Sequence, residues 1–288
     1  MRIGIRLHDV AGNSFEDRLT LAKGQGFQCI HLALSKVLGE GFMRPEELTP
    51  GLASYVRRAA SPMDVVVLGC YLNLAHPDEE AARLILQQYI AHLRFSAWLS
   101  GAVVGTETGN PNADYRFDPV KSHSDDALKL LIDRLAPVVD AAQKLGAVLA
   151  IEPVFSHIVC DARRARKVLD SIHSPNLQII LDPVNLLDTR NLDRRDDVIR
   201  EAVELLIEDT AVLHIKDYIV QAGKLRAAAP GQGLMDYRAL FSAVAPVKPH
   251  LHITLEDTRP ENAVQARAHI LDLWLECRQR NHKRKESR

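Results

Sequence analysis

The sequence predicts an α/β fold of the (β/α)8 (TIM) barrel class, built as a single domain. Eight short runs rich in β-branched residues alternate along the chain with segments whose apolar residues recur at i, i+3 and i+4. These patterns are typical of buried strands and of helices packed on a sheet. The repeat, about 36 residues long by division, suits eight strand–helix units better than an open doubly wound sheet. The nucleotide-binding motifs GxGxxG and GxxxxGK[ST] do not occur where such a sheet would need them.

The predicted strands are mainly apolar, as expected for a parallel sheet buried on both faces. They cover residues 2–7, 28–34, 64–73, 101–107, 147–154, 177–185, 211–218 and 251–257. The predicted helices cover residues 15–26, 45–60, 78–99, 125–146, 162–172, 194–209, 236–244 and 261–278. Gly146 and two other glycines lie at or just past helix ends, where a left-handed cap favours a residue without Cβ. We therefore expect a catalytic barrel domain over residues 1–278 and a basic C-terminal tail over residues 279–288.

Four acidic or imidazole side chains stand at the ends of the last four predicted strands. They are Glu152, Asp182, His214 and Glu256. The carboxyl ends of barrel strands meet at one rim, which carries the active site in barrels of this class. Three carboxylates at one rim would raise one another's pKa unless a cation held them. Because carboxylate oxygens and a neutral imidazole suit a divalent cation, the sequence predicts a metal-assisted enzyme.

Further polar residues follow the ends of other predicted strands. Glu107 closes the fourth strand, and Asn73 and His76 follow the third. Side chains at these places can recognise substrate hydroxyls, so we predict that all three bind substrate. A hydrogen-bonding role behind the reacting groups is the alternative for Glu107.

Lys216 and two histidines in the first part of the chain also lie near the ends of predicted strands. Lys216 faces the same way as His214 because alternate residues of a strand share a face, so it could orient Glu152 or contact substrate. We predict a substrate contact. His8 and His31 also lie near strand ends, but a lone histidine there is more typical of a satisfied core or rim residue.

Composition restricts the classes of partner. The formal net charge is −1, which gives the whole molecule no long-range attraction for nucleic acid or anionic membranes. The apolar runs are all shorter than the roughly 20 residues needed to cross a bilayer. The four cysteines are far apart, without a CxxC motif or a secretory leader, as in a cytoplasmic protein with reduced thiols. We expect a small-molecule substrate, no membrane and no nucleic acid.

The segments AIEPV, ILDPVN, LHIKD and TLED, with YLNLAHPD in the first half, give the chain a family resemblance. It resembles the xylose isomerase-like TIM barrel superfamily of sugar isomerases, sugar epimerases and endonuclease IV-like proteins, and within it the ketose 3-epimerase branch. The resemblance implies that Glu152, Asp182, His214 and Glu256 bind one divalent ion: manganese, magnesium, cobalt or zinc. It further implies a homo-oligomer.

The same resemblance implies a reaction. Glu152 and Glu256 would remove and return a proton at the carbon next to a carbonyl, while the metal stabilises the enediolate. The chain would then be a metal-dependent sugar isomerase or epimerase. A dehydratase or lyase acting on a keto-polyol or keto-cyclitol would use the same pair. A nuclease and a non-catalytic sugar-binding barrel are the remaining alternatives.

Two positions depart from the family pattern. Asn185 stands where a histidine often follows the aspartate of the sixth strand, and Val220 stands where the epimerase branch tends to have an arginine. Both family residues help to hold substrate. We therefore expect Asn185 to contact substrate and the substrate to differ from that of the branch. The loop PGQG at residues 230–233 resembles a family loop whose glycines could approach a ligand, or it is a plain turn.

Overall fold

Eight parallel strands close into a barrel, which confirms the predicted fold class. The computed structural model describes residues 1–99 and 101–286, with side chains up to residue 280. The barrel strands are β1 (Arg2–Arg6), β2 (Cys29–Leu32), β3 (Asp64–Gly69), β4 (Val103–Glu107), β5 (Leu149–Glu152), β6 (Leu177–Leu181), β7 (Thr210–Ile215) and β10 (His252–Leu255). Neighbours in the chain are neighbours in the barrel, and β10 pairs with β1 to close it.

The helices lie close to the predicted segments. They are α1 (Phe15–Gly24), α2 (Leu34–Val37), α3 (Pro50–Ala60), α4 (Glu79–Trp98), α5 (Pro119–Ser122), α6 (Asp125–Leu145), α7 (Ala162–Ile172), α8 (Arg195–Leu206), α9 (Arg238–Val247) and α10 (Ala263–Glu286). The prediction that α3 begins at residue 45 was wrong. Thr49 accepts a hydrogen bond from the backbone N–H of Leu52, and Pro50 occupies the first turn, so the helix begins there.

An antiparallel hairpin that the sequence analysis missed projects from the barrel between β7 and α9. Its strands are β8 (Asp217–Gln221) and β9 (Lys224–Ala228), joined by a two-residue turn. The predicted seventh strand, residues 211–218, therefore combines nearly all of the barrel strand β7 with the start of this hairpin. The hairpin stands at the carboxyl end of β7, next to the predicted site.

The core has two layers. A small cluster of short side chains, including Cys29, Val67, Ala150, Ile180 and Val212, fills the interior of the barrel, as alternation along each strand requires. A larger cluster lies between the strands and the helices. Small interior side chains leave the carboxyl end of the barrel free for larger polar ones.

The last helix runs past the predicted domain end at residue 278. The aromatic ring of Trp274 in α10 packs edge-on against Phe241 in α9, with 5.5 Å between ring centroids. The helix continues to Glu286 and so includes most of the predicted basic tail. The final two residues of that tail lie outside the described residues. Within the described part of the chain, every helix is too short or too polar to span a bilayer.

Candidate active site at the carboxyl ends of the strands

The polar residues at the barrel mouth lie on the same strand faces as the side chains that fill the barrel interior. Glu152 follows Ala150 by two positions, and His214 follows Val212 by two. Because alternate residues of a strand point to the same side, these polar side chains continue the interior row into the rim. The pairing of Glu107 with Glu152 between β4 and β5 places both acids at the same height.

The structure brings the four predicted ligands together. All four are buried, with at most 5% of each residue exposed. The Nδ1 atom of His214 lies 3.3 Å from Oε2 of Glu152 and 3.1 Å from Oε1 of Glu256. Carboxylate oxygens of Glu152, Asp182 and Glu256 lie within 4.8 Å of one another. The predicted convergence is present, and the assignment of these residues to a metal remains a prediction.

His31 joins this cluster, although a core or rim role was the expected one and lining of the barrel mouth the alternative. Ring nitrogens of His31 and His214 and an oxygen of Glu256 lie within 4.8 Å of one another, and the two rings stack at 5.1 Å. A register shift between β2 and β3 occurs at His31, and such irregularities redirect side chains. A Cβ at Gly69 would lie 2.9 Å from Nε2 of His31, so a glycine is needed to make room for the ring.

Cationic side chains neutralise the acids. The Nζ atom of Lys216 lies 2.9 Å from Oδ2 of Asp182 and 3.2 Å from Oε2 of Glu256. The guanidinium of Arg6, at the end of β1, lies 3.4 Å from the same oxygen of Glu256. Lys216 therefore contacts two carboxylates other than Glu152, the partner we had considered for it. Arg6 was missed because one arginine after a strand has no signal of its own.

The pKa values follow from burial and these neighbours. Burial by itself would lower the pKa of His214, but Glu152 and Glu256 outweigh it and raise the pKa to about 10. Burial raises the pKa of Asp182 to about 6, against the opposing effect of Lys216. Burial would also raise the pKa of Glu256, but Lys216 and His214 hold it well below its usual range. Glu256 is therefore ionised at neutral pH.

The donor set fits a divalent metal ion. It offers three carboxylates, which are hard oxygen ligands, and an imidazole nitrogen, which several divalent metals accept. Among the described residues, Nδ1 of His214, the nitrogen that faces Glu152 and Glu256, is buried and without a hydrogen-bond partner. Buried polar atoms usually have a partner, so an ion held by these acids would give this nitrogen the partner that it lacks.

Glu152 and Glu256 of this cluster line a cavity of about 320 Å³, here called the inner cavity. Glu107, Asn185 and Lys216, three of the five predicted substrate contacts, line it together with Arg6, His8, His31, Ala33, Lys36, Tyr71, Glu152 and Glu256. The amide Nδ2 of Asn185 donates a hydrogen bond to Oε1 of Glu152 at 2.7 Å. Burial and then the charge of Glu152 raise the pKa of Glu107 to about 7.

Asn73 and His76, the other two predicted contacts, are not among the residues lining the inner cavity. The Asn73 amide donates to the carbonyls of Asn110 and Asn112 and accepts from the N–H of Asn110. His76 accepts from the N–H of Asp78 at the start of α4. Asn73 therefore links two loops by hydrogen bonds, and a substrate contact for Asn73 and His76 stays a prediction.

Asp217 and the PGQG loop are likewise structural partners. The Asp217 carboxylate accepts hydrogen bonds from the backbone N–H groups of Tyr218, Gly231, Gly233 and Met235 at 2.8–3.1 Å. A Cβ at Gly233 would lie 2.4 Å from Oδ1 of Asp217. The glycine backbone does make a close approach, as the sequence suggested, but to a side chain of the same molecule.

The fold and site define a barrel protein with a buried acidic cluster at the carboxyl ends of its strands. A model of the xylose isomerase-like TIM barrel family matches residues 19–275, and the chain belongs to that family. This confirms the resemblance found in the sequence. A search of curated proteins finds no sequence match.

Solved structures share the fold at low sequence identity. A D-tagatose 3-epimerase-like protein superposes with a TM-score of 0.76 at 14% identity, covering 97% of this chain and 99% of that one. The IolI protein, with a bound zinc atom, gives 0.74 at 19% identity and covers 95% and 98%. The 3-keto-D-glucoside 4-epimerase YcjR from E. coli gives 0.70 at 19% identity and covers 97% and 99%. These likenesses extend over the whole barrel.

Proposed function

We propose that this protein is a metal-dependent sugar isomerase or epimerase that moves a proton at the carbon next to a carbonyl. The observation that carries the proposal is the placement of Glu152 and Glu256 on one imidazole, at 3.3 and 3.1 Å from His214, beside a cavity of about 320 Å³. Family membership and the epimerases among the similar structures support it. The substrate is a small sugar or polyol.

The two glutamates act as the acid–base pair. Asn185 holds Oε1 of Glu152 by a hydrogen bond, which leaves Oε2 directed at His214. Glu256 is kept ionised by Lys216 and His214, so it can accept a proton. Each glutamate lines the inner cavity and can remove a proton from the carbon or return one, a role that contributes typically ~10²–10⁴-fold to the rate.

Glu152, Asp182, His214 and Glu256 would hold a divalent ion such as manganese, magnesium, cobalt or zinc. When bound, that ion would supply positive charge to stabilise the negative charge that develops on the substrate oxygens. Lys216 and Arg6 add positive charge of the chain's own beside Glu256. Glu107, Asn185 and Lys216 would contact substrate hydroxyls.

Incubation with a panel of ketoses in deuterated water tests the proposal. Nuclear magnetic resonance should show deuterium at the carbon next to the carbonyl without loss of water. E152Q and E256Q should each slow this exchange at least about 10²-fold, whereas E276Q, at an exposed site on α10, should not. Loss of water from the sugar would instead support a dehydratase. The proposal would be contradicted if no ketose exchanged deuterium in the presence of any of the four metals.

A further inference from the structure

A second cavity adjoins the inner one. It measures about 350 Å³ and lies among the loops that follow β5 and β6 and the β8–β9 hairpin. We call it the outer cavity, and its walls include Phe155, Asp188, Thr189, Leu225 and Ala227. Asn185 and Lys216 line both cavities. The outer cavity therefore lies directly beside the candidate active site, with Asn185 and Lys216 at the boundary between the two spaces.

The lining of the outer cavity mixes apolar and hydroxyl-binding groups. Phe155, Leu187 and Leu225 supply apolar surface, while Ser156 and Thr189 supply hydroxyls. A sugar ring has the matching character, because its C–H face is apolar and its edge carries hydroxyls. Ligand sites of this kind combine apolar walls with a few placed polar groups. The chemistry of the wall thus favours a second carbohydrate ring.

The polar and aromatic walls are held in place by one arginine. Arg190 stacks over the Phe155 ring, with 4.6 Å from its Cζ atom to the ring centroid. Its Nε atom donates to Oδ1 of Asp188 at 2.6 Å. These contacts link the loop after β5 to the loop after β6. Two walls of the outer cavity are therefore tied together by the side chain of Arg190.

The volumes of the two cavities suit one sugar ring each. The inner cavity, about 320 Å³, is near the lower end of the ~300–1,000 Å³ found for small-molecule sites, and one sugar ring fits it. The outer cavity is of similar volume, so the two adjacent cavities together offer room for two rings. We propose that the outer cavity binds the second ring of a two-ring carbohydrate whose reacting ketose lies in the inner cavity. This inference rests on the function proposed above.

Isothermal titration calorimetry with defined sugars tests this. The probes are D-fructose and two disaccharides that carry fructose, isomaltulose and lactulose, each measured with Mg²⁺ present. We expect a disaccharide to bind at least about tenfold more tightly than fructose. A227F places a ring in the outer cavity from β9 and should reduce that preference about tenfold. R226F puts the same ring on the neighbouring exposed residue, which does not line the cavity, and should leave the preference unchanged.

Equal affinities for fructose and both disaccharides, no binding of either disaccharide, or the same loss in R226F as in A227F would overturn the inference. The deuterium-exchange assay is run on the same sugars. Exchange of deuterium into fructose without a preference for disaccharides would support the proposed function and contradict binding of a second ring in the outer cavity. If disaccharides bind more tightly, A227F reduces this preference and no sugar exchanges deuterium, the result would contradict the proposed function but not binding in the outer cavity.

Discussion

Single residues at the barrel mouth depend on one another for their charge. Glu256 is the centre, since His214, Lys216 and Arg6 all lie within 3.4 Å of its oxygens. Buried carboxylates are costly unless they are paired. The cluster therefore behaves as a network, in which removal of one cation leaves acids without a partner.

Replacement of Lys216 by methionine tests this dependence. The variant keeps much of the side-chain volume but leaves Asp182 and Glu256 without their ammonium. Breaking a buried pair from one side typically costs about 3–5 kcal/mol, so urea unfolding of the metal-free variant should show a loss of that order.

The matched control is K144M. It removes an exposed lysine paired with Asp140 at 2.6 Å, and exposed pairs contribute at most about 1 kcal/mol. Equal stabilities of K216M and K144M would show that the Lys216 contacts do not stabilise the fold.

The sequence was sufficient for the four acidic and imidazole residues and insufficient for some of their neighbours, including His31 and Arg6. Glu152 and His214 could be located because strand alternation and barrel geometry dictate where a strand-end side chain points. His31 could not, because its place depends on a register shift and on the space left by Gly69. Asn73 follows a strand too, but its amide is used by a neighbouring loop. Contacts of this kind are tertiary and leave no local pattern.

At the scale of elements, the eight barrel strands were predictable and the hairpin was not. The barrel strands are continuous apolar runs, whereas β8 and β9 are largely exposed. The hairpin turn has Ala222 and Gly223 at positive φ, 50° and 69°. Turns of this type usually carry Asn-Gly or Asp-Gly, and alanine rarely adopts such angles. The usual sequence signal for a hairpin is therefore missing.

Asp217 fixes this hairpin to the PGQG loop, and D217N should loosen both. Asparagine keeps one acceptor oxygen, but its amide N–H₂ group faces the backbone N–H groups that the second carboxylate oxygen had accepted from. A buried donor left without an acceptor costs about 1–3 kcal/mol of stability. Thermal denaturation should show the loss, and limited proteolysis should cut within residues 217–235 faster.

The control for this variant is D236N, a change at a neighbouring exposed aspartate that can still accept from the N–H of Arg238. G233A should reproduce the D217N result, because its Cβ would lie 2.2 Å from the carbonyl oxygen of Tyr218. Wild-type proteolysis rates in both D217N and G233A would contradict this account of the loop.

At the scale of the whole molecule, a buried histidine contributes to the loss of stability in acid. His92 in α4 is fully buried, donates from Nδ1 to the carbonyl of Gln88 and has no partner at Nε2 among the described residues. Burial lowers its pKa below the ordinary value of 6.5. The unfolded chain therefore takes up the proton first, and stability is lost as the pH falls below about 6.5.

H92F should make the free energy of unfolding less dependent on pH between 7 and 5. One proton corresponds to at most about 1.4 kcal/mol per pH unit, so urea titrations at several pH values can resolve the change in slope. H250F, at an exposed histidine, is the control. Parallel pH profiles for H92F and wild type would show that His92 does not contribute to the acid sensitivity.

A bound metal should stabilise the entire barrel, because its four proposed ligands come from β5, β7 and the residues that follow β6 and β10. Unfolding must separate those strands and release the ion. At a metal concentration about 100 times the Kd, binding adds about 2.7 kcal/mol, which for a chain of this size is roughly 5 °C in Tm. Differential scanning calorimetry with EDTA, Mn²⁺, Mg²⁺, Co²⁺ and Zn²⁺ measures this directly. E152Q should reduce the shift and E276Q should keep it. An unchanged Tm with all four metals, or an equal shift in E152Q, would show that the acidic cluster is not a metal site and that His214, Lys216 and Arg6 balance its charge without an ion.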